Sequence, residues 1–272
     1  MRCIELFAGA GGAALGLEAA GIEHAALCEW DPHACATLRA AGLGPVVEGD
    51  VRDLDAIADV AGESCDLLWS SFPCQAFSTA GKRMGASDER NGWPWTVDAI
   101  DRFGPRWFLG ENVRGLTMHR GDCVARAGQR GLFGTADPAT CPGCYLREVI
   151  MRQLRQRFAF AGYWLIDCAD LGVPQHRRRI IIWAGPAPLE APTLTHGRGR
   201  LPWNAMGAAL SLGDLGPWLT RPSPTVSAVG ECKGSGPGGN PEKMQRASDA
   251  LFMGTGRRRL TVKECAILQA FP

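Results

Sequence analysis

Apolar residues along this chain gather into short runs that end on small, acidic or proline positions, and stretches with helical spacing separate them. RCIELF (2–7) reads as a buried strand, AGAGG (8–12) as a glycine-rich turn, and ALGLEAAG as a helix that stops at Gly21. HAALCEWD (24–31) predicts a second strand ending in an acidic residue, followed by a helix from Pro32 to Ala41. VVEGDVRDL (46–54) predicts a strand ending near Asp50, CDLLWSSF (65–72) one that breaks at Pro73, and RWFLGENV (106–113) one ending at Glu111. A helix over 146–161 leads into YWLIDCAD (163–170), and the β-branched RRRIIIWA (177–184) predicts a further strand. Strands alternating with helices imply an α/β fold, a doubly wound, mostly parallel sheet covered on both faces.

The texture changes from 185 to 256, where Gly and Pro punctuate the chain and periodicity fades, as in GPAPLEAPTLTHGRGRLPW and GECKGSGPGGNPEK. This predicts a small loop-rich region and not a second full core. LTVKECAILQAF (260–271) then predicts an amphipathic helix capped at Thr261. The expected organisation is a main domain over 1–184, a short region over 185–256, and a return helix within 257–272.

Composition narrows the classes. The 272 residues are 46% hydrophobic and 21% charged, ordinary for a globular chain with a proper core. No uncharged apolar run reaches the roughly 18–20 residues of a membrane helix, and Glu5 and Glu18 interrupt the Ala/Gly-rich start that loosely resembles a signal peptide. The net charge of +1 hides an asymmetry: residues 1–150 hold 13 Lys+Arg against 20 Asp+Glu, and residues 151–272 hold 16 against 8. A phosphate backbone would be drawn to the second half. Eleven scattered cysteines suit a reducing cytoplasm, with thiols buried, metal-bound or catalytic.

Two constellations suggest a site. ELFAGAGG offers backbone N–H groups to a ligand, Glu29 ends the next strand where a carboxylate can hold ribose hydroxyls, and Asp50 suits an adenine amino group. The glycines do not follow GxGxxG, which disfavours a nicotinamide. In SSFPCQAFSTAGKR (70–83), Cys74 follows Pro73 at a strand end, where open α/β sheets place reactive groups. The polar stretch after it, 76–95, has the composition of a lid.

FPCQAFSTAGKR resembles the catalytic loop of the DNA cytosine-5 methyltransferases. ELFAGAGG is similar to that family's cofactor loop, CEWD (28–31) to its ribose-binding strand end, GENV (110–113) to its Glu-Asn-Val, VPQHRRRI (173–180) to its Gln-x-Arg-x-Arg strand, and RPSPTVSA (221–228) to the segment after its target-recognition region. The matches come in the family's order over nearly the whole chain. The resemblance implies a Rossmann-like methyltransferase sheet, S-adenosylmethionine as cofactor, and duplex DNA whose target cytosine is flipped out of the stack. It also implies roles for single residues. Cys74 would attack carbon 6 of cytosine, Glu111 would act as an acid near ring nitrogen 3, Asn112 would buttress the Pro73 turn, and Gln75 would fill the gap left by the base. Arg177 would contact the base carbonyl or the surroundings of Cys74, and Arg179 the loop and a phosphate. Phe7, Ala8, Gly9, Ala10, Gly11, Gly12, Glu29, Trp30, Asp50, Val51, Pro73 and Trp95 would line the cofactor. Ser78, Lys82, Arg83, Gln175, Arg178 and Arg221 would contact DNA.

An insertion over 116–148 departs from the simplest members. It holds His119, Cys123, Cys141 and Cys144, a Cys-x2-Cys pair with a second ligand pair at knuckle-like separation, which suits structural zinc. The resemblance also implies a Gly-Asn segment after LQAFP that completes the cofactor pocket. The chain stops at Pro272, so a truncation or a second polypeptide supplying that wall is expected. Two other readings stay open. One is a tRNA cytosine-5 methyltransferase, a group that favours Pro-Pro-Cys-Gln where this chain has Phe72-Pro73-Cys74-Gln75; the other is a catalytically incomplete DNA-binding remnant.

Overall fold

β1 (Arg2–Leu6), β2 (Glu23–Glu29), β3 (Val46–Glu48), β4 (Leu67–Ser70) and β5 (Trp107–Val113) lie in one sheet with β6 (Phe160–Asp167) and β7 (Arg178–Gly185) in the computed structural model. The structure describes residues 1–73, 91–119, 123, 140–212, 219–226 and 261–271. The strand order is β3-β2-β1-β4-β5-β7-β6, and β1 to β5 pair in parallel. All five carboxyl ends therefore reach the same edge, and the order reverses beside β1, where the glycine turn emerges.

Helices α1 (Gly12–Ala19), α2 (Pro32–Ala40), α3 (Leu54–Ala61) and α4 (Trp93–Phe103) connect these strands. Ile4, Leu6, Leu68, Phe108, Ile180 and Ile182 bury one face of the sheet against Ile57, Ile100, Phe103 and Leu154. Leu27, Leu38 and Leu43 pack with Ala14 in one further cluster, and Cys3, Leu17 and Leu67 form another. Both faces are covered, which explains why the strands read as continuous apolar runs.

The structure differs from the sequence expectation in four places. β3 stops at Glu48, because the Asp53 N–H closes a turn onto the Asp50 carbonyl at 3.0 Å. Asp53 then caps the unanticipated α3, accepting from the Ala56 N–H at 3.0 Å. α4 begins at Trp93, inside the stretch expected to be a lid; Pro94 sits in its first turn, where the missing N–H costs nothing. The single helix expected over 146–161 is instead α5 (Pro142–Tyr145), one π-helical turn (Leu146–Ile150) and α6 (Met151–Arg157), and β6 starts at Phe160.

Met1–Leu165 with Ile180–Glu190 forms one compact unit; Ile166–Arg179 with Ala191–Pro272 forms the other. In the second unit Gln175 bridges Ser223, and α7 (Met206–Ala209) and α8 (Val262–Leu268) share a small core of Met206, Leu219, Val226 and Leu268. Thr261 caps α8, as the sequence predicts, and Glu264 completes a reciprocal box with it. Among the described residues no helix is long and apolar enough to cross a membrane.

Candidate active site and metal centre

The carboxyl edge of the first unit is built by short strands whose last residues turn sharply. β1 ends at Leu6, and Phe7 follows at a positive φ of 58°. Gly11 takes φ 88°, and a side chain there would be strained and would meet Leu43 Cδ1 at 2.6 Å, which favours glycine. Ala8 is buried, and its N–H donates to the Cys28 carbonyl at 3.1 Å; Gly9 N–H donates to Glu29 Oε2 at 2.7 Å. Glu29 Oε1 accepts from the Trp30 and Asp31 N–H groups, each at 2.9 Å. The carboxylate is thus locked by three backbone donors, with acceptor capacity left on Oε2. Ala10 and Gly12 are exposed at this turn.

Asp50 is engaged by Arg52, whose Nε and Nη2 donate to its carboxylate, and this hydrogen bonding holds the carboxyl below its ordinary pKa. The Arg52 guanidinium lies 5.2 Å from the centre of the Trp95 ring, and Trp95 stacks near Phe7 with centroids 6.4 Å apart. Val51 is buried beside them in sequence. Trp30 is 78% exposed, so core packing does not account for it. Sequence reasoning missed Arg52; its place directly after Asp50 and Val51 was the available signal.

Pro73 is the last described residue before the segment that carries Cys74, Gln75, Ser78, Lys82 and Arg83, and those five lie outside the described residues. Asn112, buried on β5, donates from Nδ2 to the Phe72 carbonyl at 2.9 Å and so ties the strand bearing Glu111 to the turn at Pro73. Glu111 is half-buried at the same strand end.

Arg177 and Arg179 belong to the second unit. There Asp167 accepts from the Arg177 N–H at 3.0 Å and from Arg178 Nε at 3.1 Å, and His176 Nδ1 lies 3.1 Å from its carboxylate. Arg179 Nη1 donates to the Arg178 carbonyl at 2.9 Å. Gln175 is fully buried, and its side-chain amide has no hydrogen-bond partner among the described residues; Arg178 and Arg221 are exposed.

His119, Cys123, Cys141 and Cys144 converge, their ligand atoms all within 4.8 Å of one another. His119 Nδ1 is 3.6, 3.5 and 3.6 Å from the sulfurs of Cys123, Cys141 and Cys144. A tetrahedral ion with sulfur at about 2.3 Å and nitrogen at about 2.0–2.1 Å separates the two ligand types by about 3.5 Å. All three cysteines are buried, and burial with the neighbouring thiols pushes Cys144 up to about 12. Gly143 lets the imidazole lie against the backbone, since a side chain there would meet the ring at 2.8 Å.

The family model described as C-5 cytosine-specific DNA methylase matches residues 1–130. Type II methyltransferase M.AquIA of a Picosynechococcus species is 32% identical over 214 residues, covering 72% of this chain and 77% of that protein. The chain belongs to the C-5 cytosine-specific DNA methylases. M.NaeI of Lentzea aerocolonigenes is 36% identical over 185 residues, and M.NgoMIV of Neisseria gonorrhoeae 37% over 186. Those matches cover 68% and 66% of this chain but only 40% and 50% of the relatives, so this methylase chain spans half or less of their length. A mutant of Spodoptera frugiperda DNMT2 superposes with TM-score 0.50 at 18% identity, over 76% of this chain and 59% of that one, which shows a shared fold.

Proposed function

We propose that the chain methylates carbon 5 of cytosine in duplex DNA, with Cys74 as nucleophile and S-adenosylmethionine as cofactor. The observation that carries the reading is the locked Glu29 carboxylate beside the Gly9–Gly12 turn, at the same parallel-sheet edge as Pro73 and Glu111. The residues present fit an adenosyl group. Glu29 has an acceptor site left for a ribose hydroxyl, Asp50 offers a carboxylate to an exocyclic amine, and Phe7, Val51 and Trp95 give apolar surface. When bound, that cofactor supplies an electrophilic methyl group.

Cytosine carbon 5 is a poor nucleophile until a thiolate adds to carbon 6. Cys74 forms that bond, and Glu111 gives a proton to ring nitrogen 3 as density moves through the ring. Carbon 5 takes the methyl group and then loses its proton to water. The electron pair left behind rebuilds the carbon 5–carbon 6 double bond and expels the Cys74 thiolate, and ring nitrogen 3 returns its proton to Glu111. Asn112 holds the turn at Pro73, Arg177 and Arg179 neutralise the oxygens of base and phosphate, and Gln75 fills the space of the extruded base. Ser78, Lys82, Arg83, Gln175, Arg178 and Arg221 contact the DNA. Trp30, exposed just after Glu29, offers its ring to the same adenosyl group.

We extend the proposal to a structural zinc ion on His119, Cys123, Cys141 and Cys144, supported by the uniform Nδ1–sulfur separations. Reduced thiols of this kind fit the cytoplasm.

The test is mechanism-based trapping. Duplex DNA carrying 5-fluorocytosine cannot lose fluorine as it loses the proton, so a denaturant-stable adduct accumulates. The adduct should vanish in Cys74→Ser, and its persistence there would refute the assignment. Methyl transfer to tRNA in preference to duplex DNA would favour the RNA-directed reading.

A further inference from the structure

The two ends of the Cys74-bearing segment are held together by described residues on either side of it. The Gly92 N–H donates to the Pro73 carbonyl in a long bond of 3.4 Å, and the Ser70 and Thr96 hydroxyls hydrogen-bond at 2.8 Å. The Trp93 ring packs on Phe72, 5.3 Å between centroids, and edge-on against Phe108 at 6.0 Å. This neck is also tied to the helical stretch behind it. Asn91 Nδ2 donates to the Tyr145 hydroxyl at 2.7 Å, and Trp93 Nε1 donates to Gln153 Oε1 at 2.6 Å. Asn91, Trp93 and Tyr145 are all buried.

Tyr145 follows Cys144 directly and closes α5, the short helix that begins just after Cys141. The Gly143 N–H donates to the Met118 carbonyl at 3.1 Å, joining this helix to the stretch that leaves β5 after Glu111 and Asn112 and runs through a 3-10 turn (Arg114–Thr117) to His119. The next turn, Leu146–Ile150, is π-helical, a local widening found often at functional sites. Four residues of the cluster and one tyrosine therefore link the end of β5 to the exit of the nucleophile's segment.

We propose that the metal-bound His119–Cys123–Cys141–Cys144 centre positions the exit of the Cys74 segment through Tyr145, which accepts the Asn91 amide. The inference rests on the readings of Cys74 as nucleophile and of the cluster as a zinc site. Tyr145 is a positioning residue: it sets where the neck stands and touches neither cofactor nor base. Misplacement of a nucleophile by about 1 Å can cost roughly 100-fold in rate, so a neck released on one side should lower turnover and leave ground-state binding alone.

The experiment uses the full chain, bulk unmethylated genomic DNA and the cofactor, with zinc content and melting temperature measured for every variant. Tyr145→Phe should keep its zinc, its fold and its KM for cofactor and DNA, and lose about 10- to 100-fold in kcat. Asn91→Ala should lose a similar factor, and the double variant should be no worse than either single one. Zinc depletion of the wild-type chain by a strong chelator should reproduce the kcat loss and make Tyr145→Phe silent; Cys144→Ser offers the same comparison if it folds. Wild-type kcat in Tyr145→Phe, with zinc bound and the Cys74-dependent adduct intact, would overturn this proposal alone. Full kcat after zinc depletion would overturn the link to the metal. A wild-type chain that never carries zinc would remove the metal reading, and loss of the Cys74-dependent adduct would remove the functional one.

Discussion

Glu5 and His24 stand side by side on β1 and β2, both buried, with Glu5 Oε2 3.2 Å from His24 Nε2 and with Glu18 Oε1 3.8 Å from the other ring nitrogen. Burial pushes the Glu5 carboxyl above its ordinary value, and the nearby His24 imidazole only partly offsets this. An acid whose folded pKa is raised contributes stability that is full below the ordinary value, about 4.3, and is lost as pH rises through the raised one. Glu5→Gln should therefore flatten the fall of melting temperature with rising pH. Thermal melts at a series of pH values check this, and an unchanged slope would sink it. The motif ELF showed an acidic residue in a strand, but that His24 lies beside it came only from the packing of β1 against β2. At the proposed site Glu111→Gln should keep DNA binding and lose about 10²–10⁴-fold in methylation rate, the usual scale for a general acid. Single-turnover kinetics would read this directly; a rate within a few-fold of wild type would take the acid role away from Glu111.

The strands were legible as elements because both faces of this sheet are covered, so each appeared as an unbroken apolar run. α3 and α4 were not. α3 hides in VRDLDAIADVA, which continues an apparent strand, and α4 opens with Trp93-Pro94-Trp95, where proline reads as a breaker although it occupies a helical first turn. The glycine turn before α1 is more exacting than its pattern suggests. Gly11→Ala forces a strained φ and drives a methyl group into Leu43 and Leu38, so it should destabilise by about 1–3 kcal/mol and weaken cofactor binding. Chemical denaturation with and without cofactor would measure both effects. Thr261→Ala removes one half of the capping box on α8 and should cost about 1 kcal/mol in the stability of the second unit. Hydrogen exchange across 261–271 would locate that loss.

At the scale of the molecule, the decisive quantity is metal. A chain purified without chelator should carry one zinc ion by native mass spectrometry, and its removal should lower the melting temperature and expose 141–157 to protease. A metal-free chain that melts at the same temperature and resists protease there would end the zinc reading. The charge asymmetry between the two halves was visible in composition, and it predicts DNA binding that weakens steeply with salt.

The sequence by itself determined the α/β class, the succession of strands along the chain, the glycine turn, the Glu29 carboxylate at the end of β2 and the His119, Cys123, Cys141 and Cys144 set, since each depends on local periodicity or on residue type at short spacing. Tertiary structure alone decided which of these meet. Packing of β1 beside β2 brought the Glu5 side chain within 3.2 Å of His24, although the register pairs Glu5 with Leu27 and His24 with Cys3, and the strand order 3-2-1-4-5-7-6 placed Phe7, Glu29, Pro73 and Glu111 along one edge. Chain folding brought Asn91 to Tyr145, 54 positions away. Contacts at that separation leave no periodic trace, because they arise from packing of whole elements and not from the conformational preferences of neighbouring residues.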